Sequence, residues 1–208
     1  TTEIYTLSLH DALPIYGIEK QTTKETADQI QQGIAKEILR FHVLANSDSE
    51  EDQKLKLEVK DRLVDYMKDI LDGAEDVKET KKRITENRET ICLVAEQEIQ
   101  KQGYTYPVSV NLEKCYFPMK TYGDCTFPAG TYEALRVCIG KAKGRNWWCV
   151  LYPGLCFADS VNVIVPDEKK QELKNILTEE EYESLFDWRE DDYQIRSGFL
   201  RLWRKLFA

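Results

Sequence analysis

The sequence predicts an α+β domain: a mostly antiparallel sheet of four to five strands packed with two long helices on one side, followed by C-terminal helices. Three observations predict it. Strand-like runs, with side chains alternating between two faces, occur around residues 39–44, 108–112, 132–139 and 147–152. Residues 55–70 and 84–99 instead place apolar side chains at three- and four-residue spacings, the stripe of an amphipathic helix. The chain changes character after Gly103, from helices to strands.

The elements follow in order. Thr22-x-x-Glu25 is a capping-box pattern ahead of Ile30, Ile34 and Ile38, and predicts a short helix or ordered linker. Leu39, Phe41 and Val43 alternate with Arg40, His42 and Leu44 as a strand. Asn46 to Asp52 is a turn and helix start, where short polar side chains accept from free amides and acidic groups suit the helix dipole. The next helix runs to about Leu71 with Leu55, Val59, Leu63, Tyr66, Met67 and Ile70 inward, and Asp72-Gly73 ends it. Asp76-x-x-Glu79 opens a second long helix that stops at Gly103, the two forming an antiparallel pair.

Val108, Val110 and Leu112 then form a strand, and Pro128-Ala129-Gly130 introduces another at Tyr132 to Ile139. The basic turn Gly140 to Gly144 is read as closing a hairpin onto Trp147 to Tyr152. Val161, Val163 and Val165 fit a short further strand. Helical patterns resume at Pro166, with Leu173, Ile176 and Leu177, and at Thr178, which has a capping box to Glu181. Ser197 to Ala208 is a compact amphipathic helix: Phe199, Leu202, Trp203 and Leu206 oppose Arg201, Arg204 and Lys205. It suits a membrane surface, a partner, or its own domain.

Residues Thr1 to Ile15 reproduce, at every position, the translation of a common sequencing-library adapter, so they are read as an assembly artefact. The expected organisation is therefore 1–15 artefact, 16–37 linker or helix after a missing export segment, 38–165 the α+β domain, and 166–208 a helical extension. Formal net charge is −8, and 35 acidic against 29 basic residues remain without the first fifteen; neither balance predicts a nucleic-acid partner.

Six cysteines, at 92, 115, 125, 138, 149 and 156, permit disulfides in an exported chain. Cys149 and Cys156 flank Pro153-Gly154, which turns the chain back, and a bridge there would contribute roughly 2.5 kcal/mol through loop closure. Cys115 and Cys125 flank a similar turn and are the second candidate pair. Cys92 lies mid-helix and reads as a small buried hydrophobe. No C-x-x-C occurs and no cysteine neighbours a histidine, so no metal or cofactor is expected. Beyond His10 in the artefact, His42 is the available base, leaving a Cys149–His42 dyad as the enzymatic alternative. Asn46, Asp48, Glu51 and Asp52 lack the Gly and terminal Glu of a calcium loop, and helix capping explains them. The run Asn146 to Phe157 remains. Adjacent Trp147 and Trp148 point to opposite faces of a strand, so a core on one side leaves one ring free as a binding hot spot, whereas cover on both faces buries both.

This run, with RFHVLANSDSEEDQKLKLEVKD (40–61) and FPAGTYEALRVCIG (127–140), resembles the stage II sporulation protein R family of endospore-forming Firmicutes over residues about 30 to 160. Family members often have Pro where this chain has Gly154, and Cys115, Cys125 and Cys138 look like additions to the family's usual pair. The resemblance implies a forespore protein exported into the space between the forespore and mother-cell membranes. There it activates a membrane-embedded aspartic protease (stage II sporulation protein GA), which processes the sigma-E precursor. On this resemblance the chain is a ligand and not an enzyme, with Trp147, Trp148, Cys149 and Cys156 as the contact or loop-forming set and Asn46, Ser47 and Asp48 as a rigid turn beside it. The competing expectations are an exported thiol-dependent cell-wall hydrolase and a lipid-surface module using Ser197 to Ala208.

Overall fold

The computed structural model describes residues 26–157 and 164–186. The predicted strand at Val161 and Val163, and the amphipathic tail Ser197 to Ala208, lie outside the described residues. Val165 is described and is not in a strand.

At the centre is β1 (Leu39–Leu44), all six of whose residues are buried. Its alternation is real, but both faces of the sheet are covered, so the positions expected to be outward, Arg40, His42 and Leu44, are also inside. Around it stand β2 (Val108–Phe117), β5 (Gly130–Ile139) and β6 (Asn146–Tyr152) in the order β2-β5-β1-β6. The pairs β2–β5 and β1–β6 are antiparallel, and β1–β5 is parallel. A small ribbon of β3 (Lys120–Tyr122) and β4 (Cys125–Phe127) forms between β2 and β5.

The expected hairpin between β5 and β6 does not form, because β1 lies between those strands. A strand buried on both faces needs a ladder on each edge, and β1 takes β5 on one side and β6 on the other. The Gly140–Gly144 segment is thus a crossover past the end of β1.

Helices cover both faces, not one. The first layer is α2 (Glu50–Leu71), α3 (Val77–Glu86) and α4 (Arg88–Lys101), whose Leu55, Val59, Leu63, Met67, Ile84, Ile91 and Ile99 join Phe41, Val43, Leu135 and Val137 in one core. Ser49 caps α2 by accepting from the Asp52 amide at 3.2 Å, and Asp76 caps α3 by accepting from Glu79 at 2.7 Å. The second expected long helix is divided at Asn87. Its side-chain amide and its backbone N–H both donate to the Arg83 carbonyl, at 2.8 and 3.0 Å, and Tyr66 donates to its Oδ1. Such local side-chain competition for a backbone group interrupts regular helix geometry.

On the opposite face, α1 (residues 26–37), the β3–β4 ribbon, α5 (Asp167–Ile176) and α6 (Glu179–Ser184) enclose a second core. Ile34, Ile38, Phe117, Phe127, Tyr132, Val150 and Leu173 fill it. The capping box read at Thr178 and Glu181 is present. The far end of the β2–β5 ribbon curls over this face: Phe117, paired with Gly130 at its tip, reaches the rings of Trp148 and His42.

Candidate binding site on the outer strand

β6 is an edge strand, and its two tryptophans diverge as a two-residue period requires. Trp147 joins the first core, edge-on to Phe41 with centroids 5.6 Å apart, and carries the Lys60 ammonium 5.1 Å from its ring centre. Trp148 joins the second core, stacked on His42 at 4.8 Å and edge-on to Phe117 at 4.7 Å. Both cores are covered, yet both rings stay half-buried, because each meets solvent along the outer edge of the strand.

There the rings line a hollow of about 550 Å³. Its walls come from α2 (Lys60, Val64, Lys68), from the β3–β4 turn (Tyr122, Gly123) and from Ile164 to Pro166. Cys149 and Cys156, also in its lining, are joined by the expected disulfide, with Cα atoms 5.7 Å apart. The Sγ of Cys156 sits 3.0 Å from the Val150 carbonyl oxygen, so the loop closes onto the strand edge beyond Cys149.

The second candidate bridge does not form; Cys115 and Cys125 are both free thiols. Curling of the β2–β5 ribbon separates their surroundings. Burial beside Asp124 pushes the Cys125 thiol up to about 12. Cys115 instead lies 3.6 Å from His42 Nε2. Sequence reasoning offered Cys149 to His42, but the register places Cys149 opposite Phe41 and aligns His42 with Trp148. Burial lowers the His42 imidazole to about 4, helped by Arg136, while burial raises the Cys115 thiol. A thiolate–imidazolium pair, the reactive form of a cysteine nucleophile, is therefore disfavoured from both sides.

Asn46, Ser47 and Asp48 act as a clamp. Asn46 Oδ1 accepts from the Lys141 amide at 3.0 Å, and Asp48 Oδ1 accepts from the Arg145 amide at 2.7 Å. The Lys143 and Gly144 amides donate to the Asn46 and Ala45 carbonyls. Ser47 Oγ and Asn46 Nδ2 donate to Asp52 at 2.5 and 2.8 Å. Burial opposes ionisation of Asp52, but these bonds outweigh it and hold the carboxyl below its ordinary value. The polar turn thus pins the crossover that delivers β6. Gly144 is needed for close approach: a Cβ there would stand 2.1 Å from the Ser47 carbonyl oxygen.

Sequence reasoning missed Arg40. Its guanidinium is fully buried with the rings of Phe117, Tyr122, Phe127 and Tyr132 centred 4.6 to 5.5 Å away. It donates to Tyr122 Oη at 3.1 Å, while Nε and Nη1 have no hydrogen-bond partner among the described residues. Desolvation lowers its pKa. Nothing local marks it, since an arginine at an alternate strand position normally faces water.

Comparison with known proteins decides the family. The profile of the stage II sporulation protein R family (spore_II_R) matches residues 35–162, which contain β1 through β6, the clamp and the disulfide loop. The chain belongs to the stage II sporulation protein R family. Stage II sporulation protein R of Bacillus subtilis (strain 168) is 33% identical over 176 residues, covering 82% of this chain and 77% of that protein. No solved structure matches. The family match includes both tryptophans and both bridged cysteines of the outer strand. No helix among the described residues is long and apolar enough to cross a membrane, and no group of three or more potential metal-ligating side chains occurs among them.

Proposed function

We propose that this chain is an exported sporulation signal that acts by binding: made in the forespore, it works between the two membranes and activates the membrane-embedded aspartic protease, stage II sporulation protein GA, so that the sigma-E precursor is processed. The observation that carries this reading is the outer strand, where two tryptophans anchored in separate cores border one open hollow beside a disulfide-closed loop. Rigid aromatic groups at a concave edge are what a binding hot spot needs. A thiol-dependent hydrolase would need Cys149 as a thiolate, and Cys149 is bridged.

The test is sigma-E precursor processing in a sporulating host whose own copy is deleted. Trp147→Ala with Trp148→Ala is expected to abolish processing. Because each ring also packs in a core, Ile164→Asp, at a position 59% exposed on the wall of the same hollow, is run beside it and is expected to reduce processing while leaving the thermal melt unchanged. Normal processing by both variants would sink the contact role.

A further inference from the structure

A second hollow, of about 610 Å³, continues from the first along β6. Leu151, Tyr152 and Gly154 line it, and Lys68 and Pro166 belong to both. The disulfide loop stands between them: Gly154 faces the second hollow, Leu155 and Cys156 the first. The two differ in chemistry. The first is aromatic and nearly balanced in charge, with Lys60 paired to Asp61. The second collects Asp72, Glu75, Glu168 and Glu172 against Lys68 and Lys169.

Lys169 and Glu172 engage each other at 2.7 Å, whereas the carboxylates of Asp72, Glu75 and Glu168 have no ion pair or hydrogen bond among the described residues. The C-terminal end of α2, at Leu71, opens into the same hollow, but Arg83 Nη1 already donates to the Ile70 and Asp72 carbonyls there, at 3.3 and 2.6 Å, so the charge of the hollow comes from its side chains. Asp72, Glu75 and Glu168 outnumber Lys68, the other lining charge without a partner among the described residues, so the hollow favours a cation. Beside the aromatic hollow, among the described residues, the edge of β6 before the disulfide loop, residues 146–149, is also uncovered. NWWCVLY contains no charge, proline or glycine, while the opposite edge, β2, carries Glu113 and Lys114. Among the described residues, β6 makes no backbone hydrogen bond outside its ladder with β1. An uncharged open edge is a template for extended chain.

We infer that the two hollows are one bipartite groove for an extended segment of a partner protein, with an apolar or aromatic side chain against Trp147 and Trp148 and, a few residues away, a lysine or arginine between Asp72, Glu75 and Glu168. This rests on the reading of the tryptophan hollow as a contact site, and it adds the sequence character of what is bound.

The full chain is immobilised and used to select from a random heptapeptide phage library. Selected peptides are expected to carry lysine or arginine at least three-fold above the unselected library, within two to four positions of an apolar or aromatic residue. On the Asp72→Lys, Glu75→Lys variant, substituted at exposed positions, that preference should vanish and acidic residues rise. A synthesised selected peptide should slow amide exchange at residues 146–149. The inference is overturned by no selection, by selection without basic preference, by the same preference on the charge-reversed chain, or by protection elsewhere. A dimer in light scattering whose own contact protects β6 overturns it in favour of a second copy as occupant. Loss of processing in the tryptophan variants without basic selection would leave the contact reading standing and remove this one. Basic selection with normal processing by the tryptophan variants would overturn the contact reading and, with it, this inference.

Discussion

Acidification is expected to destabilise the fold through His42, and the size of the effect follows from where the imidazole sits. The side chain is 3% exposed. It is stacked on Trp148 from β6 and faces Phe117 and Cys115 from β2, with Arg136 from β5 and Arg40 from its own strand adding positive charge and Glu113 from β2 opposing them. Nδ1 is buried with no hydrogen-bond partner among the described residues. Protonation would place a cation in a desolvated site already flanked by two guanidinium groups. Hence the folded chain resists the proton until about pH 4, whereas the unfolded chain accepts it at the ordinary 6.5. The sign is fixed: below 6.5 the unfolded state binds more protons, so stability present above pH 6.5 is lost as pH falls toward 4. With those two values, linkage gives a loss of about 1 kcal/mol at pH 5.5 and about 2–3 kcal/mol at pH 4.5, approaching about 3 kcal/mol at lower pH.

The perturbation is His42→Phe, which keeps an aromatic ring and removes the titration. Urea unfolding of both chains is followed from pH 7.5 to 4.5. The wild-type minus variant stability is plotted against pH, so that carboxylates common to both cancel. Any constant offset from repacking is ignored; only the slope is read. A difference curve that is flat to within about 0.5 kcal/mol, or that rises on acidification, refutes the burial account of His42. The imidazole proton titration by NMR supplies an independent value and should fall near 4.

Two further outcomes follow from the elements that hold β6. The Cys149→Ser, Cys156→Ser variant should lose about 2.5 kcal/mol in urea unfolding, from the loop-closure entropy of a seven-residue separation; unchanged stability under non-reducing conditions would mean the bridge does not constrain the chain. Gly144→Ala should cost about 1–3 kcal/mol, because the new Cβ meets a backbone oxygen and not a flexible side-chain end, and the Lys143 and Gly144 amides, which donate to Asn46 and Ala45, should exchange faster; wild-type exchange at both would contradict the clamp.

Features governed by local spacing were legible in the sequence. The period-3.6 stripe and the polar helix start within Asn46 to Asp52 locate α2, which runs from Glu50 to Leu71, and the two-residue period sends Trp147 and Trp148 to opposite faces. The Cys149–Cys156 bridge follows from a turn that brings near neighbours together. What failed depends on distant partners. The β5–β6 hairpin looked natural because the strands are close in sequence, but β1, about ninety residues earlier, enters between them in parallel with β5. Asn87 is no helix breaker by composition; its effect comes from a bond its side chain makes. Arg40 and Cys115 acquire their neighbours only when the β2–β5 ribbon folds over the sheet.

The doubled tryptophan makes physical sense only with a sheet covered on both faces. A strand with one core would hold one ring and leave the other loose. Here Trp147 is fixed against Phe41 and Trp148 between His42 and Phe117, so both rings reach the open edge from rigid surroundings. The strand itself is held at each end: the Asn46–Asp48 clamp fixes the crossover before Asn146, and the disulfide loop returns to Val150. Side chains already ordered in the free protein lose little further entropy on association, so more of the contact energy remains for the partner. On the proposed reading of this edge as a contact site, the polar turn and the bridge are its supports, and disturbing either is expected to weaken binding without either touching what is bound.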